Sequence, residues 1–201
     1  MVQTNLTNCN VFDSKILHDI ACNIGWSTER LSYILADIPN YLKFCYEVAQ
    51  NYSHDNTTQV GSCLVDSIGT VISTGYNGFI KYDGLATDAR LHPNADKPNK
   101  YMWFEHAERR AIFEAMKYPI KVSNLVMFCP YFSCADCSRA ICLSGIKLVI
   151  GHKTPLSKYP ERWKESIEVG RKMFDDYGVM YYEYEGVVGS TMLINGTEIQ
   201  V

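Results

Sequence analysis

Two short stretches decide how this chain is read: His106-Ala107-Glu108 and Cys134-Ala135-Asp136-Cys137. Each opens a segment expected to be helical. The first runs from about His106 to Tyr118, where Pro119 stops it, and the second from Ala135 to Ser144, where Gly145 ends it. A Cys-x-x-Cys turn brings two thiolates to one tetrahedral ion, and an imidazole supplies a third ligand. Both cysteines lie near a helix N-terminus, where the dipole favours the thiolate form that binds metal. His106, Cys134 and Cys137 are therefore the candidate ligands of a Zn2+ ion whose fourth position stays open to water. That vacancy marks a catalytic zinc rather than a structural one. Glu108 lies in the same first turn as His106, placed to act as general acid and base on water whose pKa the zinc lowers to roughly 7.

Plainer readings exist for each motif alone. A lone Cys-x-x-Cys also fits a redox pair or half of a four-ligand structural site, but no second Cys-x-x-Cys completes such a site. A lone His-x-Glu on a helix is usually surface chemistry. Together, in this order and at two consecutive helix starts, they read as one metal centre.

Working outward, the elements alternate. Val60 to Val65 and Thr70 to Thr74 form two strands around the turn at Ser67-Ile68-Gly69. Leu125 to Cys129 and Ile146 to Ile150 are short buried strands, Glu161 to Tyr177 is an amphipathic helix, and Val179 to Tyr184 is a strand. Before them, Ser27 or Thr28 caps a short helix, and Asp37-Ile38-Pro39 starts another with Asp37 placed to cap. Asn195-Gly196 between alternating residues predicts a two-residue hairpin turn. Gly75 to Glu105 reads as one long loop. The order predicts an α/β fold, a three-layer α-β-α sandwich around a mixed sheet of about five strands. The division expected is an N-terminal helical extension over 1–37, a catalytic domain over 38–186 and a C-terminal hairpin appendage over 187–201.

With 201 residues, 47% of them apolar and 20% charged, the chain has the means to build a core. A net charge of −3 gives no general grip on a polymeric nucleic acid, which favours a small-molecule substrate. Met1 to Asn10 lacks the apolar stretch of a signal peptide, and no run is long enough to span a membrane. A cytoplasmic setting with reduced cysteines is expected.

From Tyr41 onward the chain resembles the deoxycytidylate deaminases of the cytidine deaminase superfamily. The resemblance rests on Thr58-Gln59-Val60-Gly61-Ser62-Cys63-Leu64-Val65, Gly75-Tyr76-Asn77-Gly78, Glu105-His106-Ala107-Glu108, Cys134 to Ile141 and Ser144-Gly145-Ile146-Lys147. It implies hydrolysis of dCMP to dUMP and ammonia in deoxynucleotide metabolism, with zinc-bound hydroxide attacking C4 and Glu108 as proton shuttle. It further implies that Asn77 hydrogen-bonds the sugar and that Thr57 and Thr58 help hold sugar or phosphate. The amide of Ala107 and the carbonyl of Ser133 would meet the base edge. Relatives of this kind are often homohexamers activated by dCTP and inhibited by dTTP, through a loop that here would span 77–88 and include Gly78.

The chain also departs from the family. Ser133 stands where proline usually precedes the first cysteine, Arg110 where asparagine is frequent, and Gly151 where a tyrosine ends the strand. Arg109, Arg110 and Lys153 fit either phosphate or regulatory contacts or solvated charges. Asn77 also fits a plain turn beside Gly78, and His92 either a second metal site or a simple loop residue. A zinc deaminase acting on a modified cytosine or a purine, or a catalytically silent nucleotide-binding relative, are the alternatives.

Overall fold

The strands are short apolar runs bounded by glycines and turns, and they assemble into one twisted layer that orients every helix start. The computed structural model describes residues 13–82, 100–153, 159 and 161–201. In chain order the elements are α1 (Ser14–Ile24), α2 (Thr28–Ala36), α3 (Ile38–Tyr52), β1 (Gly61–Val65), β2 (Val71–Tyr76), β3 (Gly78–Phe79), β4 (Phe104–Glu105) and α4 (Ala107–Ala115). They continue with β5 (Val126–Phe128), α5 (Ala135–Ser144), β6 (Leu148–His152), α6 (Glu161–Tyr177), β7 (Met180–Tyr184), β8 (Thr191–Ile194) and β9 (Thr197–Gln200).

Five strands form the main sheet in the order β2-β1-β5-β6-β7. The β1–β2 and β1–β5 pairs are antiparallel, whereas β5–β6 and β6–β7 are parallel. Alternation along the strands separates two cores, because successive side chains leave opposite faces. Cys63, Val65, Val126, Phe128, Leu148 and Ile150 pack with α1, α2, α3 and the β8–β9 hairpin. Leu64, Met127 and Val149 pack with α4, α5 and α6. The sheet is thus covered on both faces, as a mixed sheet with parallel strands requires.

The N-terminal region holds a helix that the sequence reading passed over. Asp13 caps α1 by accepting the Lys15 amide at 2.9 Å, and Gly25 closes it in the left-handed region at φ 72°. Ser27 caps α2, as expected, by accepting from the Arg30 amide. Asp37 precedes α3 but caps no backbone amide, because its carboxylate is taken by the Asn40 side chain. Among the described residues no helix is long and apolar enough to cross a membrane.

Helix α4 lies against β1 and β2 with its backbone close to the strands, and three small residues permit it. Ser62 Oγ donates to Ala107 O and Ser73 Oγ donates to Ala111 O, each at 2.8 Å. Gly75 faces the same helix, and a Cβ there would run into Ala107 O and lie 2.6 Å from Ala111 N. The contact is with backbone, so relief requires moving α4 itself. Gly75→Ala is expected to cost about 1–3 kcal/mol, the range for overpacking. It should also lower turnover more than stability alone explains, since α4 carries Glu108. Thermal melting and kcat on the same preparation check this.

Candidate active site

The ends of α4 and α5 converge because both helices lie on one face of the sheet. His106 and Cys134 are the N-cap residues of α4 and α5, each with extended backbone (φ −84°, ψ 154° and φ −67°, ψ 169°). Their carbonyls accept the first helical hydrogen bonds, from Arg110 N and Ser138 N. Their side chains are left to point across the gap. His106 Nδ1 lies 3.5 Å from Cys134 Sγ and 3.4 Å from Cys137 Sγ. One ligand atom from each of the three residues falls within 4.8 Å of the others. A tetrahedral zinc with the usual Zn–S and Zn–N lengths has N···S edges of about 3.6 Å, so the cluster has the size that zinc needs.

The electrostatics of the pair of cysteines suits a cation. Hydrogen bonding from Cys137, supported by His106, brings the Cys134 thiol down to about 4, while burial pushes Cys137 up. The two thiols are thus pushed in opposite directions, one of them toward the thiolate form that binds a metal, and a bound cation would release a proton held on the other. Trp163 stands edge-on to the His106 ring, with centroids 5.8 Å apart. Ser166 Oγ accepts the Ala135 amide at 3.0 Å, which ties α6 to the start of α5.

Glu108 is 5% exposed and shares a pocket with His106, Ala107 and Cys134. Burial raises its carboxyl, and neighbouring His106 pulls it back only in part. A buried carboxyl whose proton affinity is raised, beside a three-ligand cluster, is what acid–base work on a coordinated water needs. Phe104, Tyr131, Phe132 and Trp163 line the same pocket and give it aromatic walls. The sequence reading had singled out none of these aromatics.

Asn77 lines the pocket, but its side chain also braces the neighbouring loop. Its Oδ1 accepts from Ser53 Oγ at 2.6 Å and Val60 N at 2.8 Å, and its Nδ2 donates to Thr58 O at 2.8 Å. One Nδ2 hydrogen stays outside these bonds. Thr58 lines the pocket as well. Thr57 is bonded through its amide and its hydroxyl to Asp55 Oδ1. Ser133 is buried, its carbonyl accepting from Ser138 Oγ at 3.3 Å. Its own Oγ finds no partner among the described residues. An orphaned hydroxyl fits a position where the resemblance expects proline.

The three cations named from sequence are held within the chain. Arg109 pairs with Glu105 at 2.6 Å, and Lys153 with Glu185 at 2.6 Å. Arg110 donates to the carbonyls of Tyr76, Gly78 and Phe79 and stacks on Tyr76 at 4.2 Å, so it fastens the turn that carries Asn77. His92 lies outside the described residues.

Three further residues at the site had not been read from sequence. Asp55 lines the pocket and is paired with Lys100 at 2.7 Å, the two side chains being 3% and 5% exposed. Lys100 also donates to Thr57 Oγ1 at 2.9 Å. Arg162 contributes to the pocket from α6.

Residues 36–153 match the family described as the cytidine and deoxycytidylate deaminase zinc-binding region. The chain belongs to this family. The matched span of this deaminase-family chain contains all three candidate ligands and Glu108, and ends before α6. Deoxycytidylate deaminase of Pongo abelii is 29% identical over 149 residues, covering 73% of this chain and 79% of the relative. That of Mus musculus is 28% identical over 170 residues, covering 84% and 87%. The crystal structure of dCMP deaminase from the cyanophage S-TIM5, in complex with dCMP and dUMP, shares the fold. Its TM-score is 0.52 at 23% identity, over 72% of this chain and 94% of that one.

The buried Asp55–Lys100 pair is a sensitive point. Removing one partner of a buried ion pair leaves the other charge uncompensated and costs about 3–5 kcal/mol. Asp55→Asn should therefore lower stability by that order in a chemical denaturation curve, with zinc content retained in the folded fraction.

Proposed function

We propose that this chain hydrolyses the exocyclic amine of dCMP, giving dUMP and ammonia. The observation that carries the reading is the position of Glu108: a buried carboxyl sharing one pocket with His106 and Cys134 of a His-Cys-Cys cluster. The deoxycytidylate deaminases to which the chain is similar support the substrate.

His106, Cys134 and Cys137 would hold the zinc. Bound there, zinc supplies Lewis acidity that makes a water nucleophilic near neutral pH. Glu108 takes a proton from the water and passes it to the ring nitrogen next to C4. The remaining proton of that water goes through Glu108 to the departing amine, so the C4–N bond breaks as the oxygen now on C4 becomes the carbonyl of dUMP and ammonia leaves. The Ala107 amide and the carbonyl of Ser133 orient the base edge, and the aromatic walls hold the ring against its faces. Asn77, Thr57 and Thr58 serve the sugar side. Among the described residues, Arg162 is the only lysine or arginine lining the pocket, and we assign the 5′-phosphate to its guanidinium. Arg109, Arg110, Lys153 and Gly78 belong in this scheme to the turn and surface around the site. Control by dCTP and dTTP, assembly into a hexamer and a cytoplasmic setting complete the proposal, on the strength of the family resemblance.

Two substitutions test these roles by following the loss of cytosine absorbance. Glu108→Gln should reduce kcat by at least about 100-fold, the lower bound for losing a general acid–base, with zinc still bound. Unchanged turnover would remove Glu108 from the proton path. Arg162→Ala should raise KM for dCMP roughly 10–100-fold, as expected for a lost charge-assisted bond of about 1.5–3 kcal/mol. Any slow turnover of unphosphorylated deoxycytidine should be unaffected. Equal losses on both substrates would place the phosphate elsewhere.

A further inference from the structure

The β8–β9 hairpin lies beyond the span that matches the family and does not join the main sheet. A two-stranded hairpin is marginal by itself, so something else must hold it. Part of the answer is core packing: Met192 and Ile194 are buried against the α3 side of the sheet, and Gln50 Nε2 donates to Thr191 O at 2.7 Å. The rest of the answer is the loop that runs alongside the pocket.

Ile194 pairs with Thr197 across a two-residue turn in which Asn195 and Gly196 both take positive φ, 51° and 75°. In such a turn the amides of the two central residues have no partner within the ladder. Both are spent on the substrate-side loop. Gly196 N donates to Thr57 O at 2.7 Å and Asn195 N donates to Thr58 Oγ1 at 3.1 Å. One step along, Gln59 N donates back to Leu193 O at 3.0 Å. Three successive loop residues are thus pinned by one hairpin end. Ile194 itself lines the pocket, as do Thr58, Val60 and Asn77.

Resting on the nucleotide-deaminase reading above, we infer that the C-terminal hairpin is a positioning element of the nucleotide site. Its turn sets the backbone shape of Thr57 to Gln59, and Ile194 supplies an apolar wall on the side of the pocket that Asn77 shares. The metal cluster and Glu108 come from α4 and α5, on the opposite face of the sheet from the hairpin's packing. Loosening the hairpin therefore weakens the hold on the nucleotide while the proton chemistry continues.

The test uses the full-length zinc protein in three forms, Ile194→Ala, Ile194→Val and Gly196→Val, with kcat and KM for dCMP measured beside zinc content and thermal melting. Ile194→Ala opens the wall, Ile194→Val restores most of it, and Gly196→Val places a β-branched residue where φ is positive and so distorts the turn. The expected result is a KM raised about 10-fold in Ile194→Ala and Gly196→Val, kcat within about 3-fold of the parent, and a KM near the parent value in Ile194→Val. As a measurement independent of any substitution, hydrogen exchange of the parent protein should slow at the amides of residues 193–197 when dUMP is added. Folded variants with the parent KM, together with exchange at those amides indifferent to dUMP, would overturn the inference. So would a fall in kcat that tracks zinc loss at constant KM. A parent protein that does not deaminate dCMP would instead refute the reading on which the inference rests.

Discussion

One imidazole nitrogen sits 3.4 and 3.5 Å from two sulfurs, inside a largely buried corner, with all three ligand atoms within 4.8 Å of one another. Such a cluster is uncomfortable unless protons or a cation occupy its centre, because thiolates repel and burial penalises each charge. Much of the surrounding architecture serves to keep those three atoms together. Both N-cap residues contribute their side chains to the cluster rather than to capping. The duties of capping fall on others, with Ser166 accepting the Ala135 amide and the Glu105 carboxylate accepting that of His106. The small residues Ser62, Ser73 and Gly75 let α4 approach the strands closely enough to bring His106 to the sulfurs.

The sugar side of the pocket is organised differently. There the chain has no regular element, and a loop from Asp55 to Val60 takes its shape from borrowed partners. The Asp55 carboxylate gathers the Thr57 amide and hydroxyl, the Thr58 amide and the Lys100 ammonium. Asn77 holds the far end, and the C-terminal turn holds the outer edge. This arrangement couples residues distant in sequence without a sheet between them. It also gives each departure from the family pattern a local meaning. Arg110, where asparagine is frequent, ties down the turn that presents Asn77. Gly151, where a strand-end tyrosine is expected, leaves room for the Tyr181 phenol, which reaches over it from the neighbouring strand.

The metal centre was legible in the sequence because its geometry is local. His106 and the two cysteines sit at helix starts, and helix starts are marked by short-range signals. The strands were legible for a similar reason, since β1, β5 and β7 are bounded by turns, although β6 runs to His152 rather than stopping at Ile150. Helix α1 was legible and passed over: Ile16, Leu17, Ile20, Ala21 and Ile24 recur at helical spacing, and the last three are buried. The β3–β4 pairing, Gly78 with Glu105 and Phe79 with Phe104, joins the two ends of what had read as one long loop. Nothing within either two-residue strand could announce it. Asp55, Lys100 and Arg162 were missed on the same ground: each is ordinary in its own stretch and acquires a role only from partners the fold brings in.

The central claim is that one nitrogen and two sulfurs share a zinc ion. X-ray absorption at the zinc edge, combined with elemental analysis of the purified active protein, addresses it most directly. The account predicts one zinc per chain, with a first shell of two sulfurs near 2.3 Å and nitrogen or oxygen neighbours near 2.0–2.1 Å. A shell of four sulfurs, or full activity in protein containing no zinc, would contradict it.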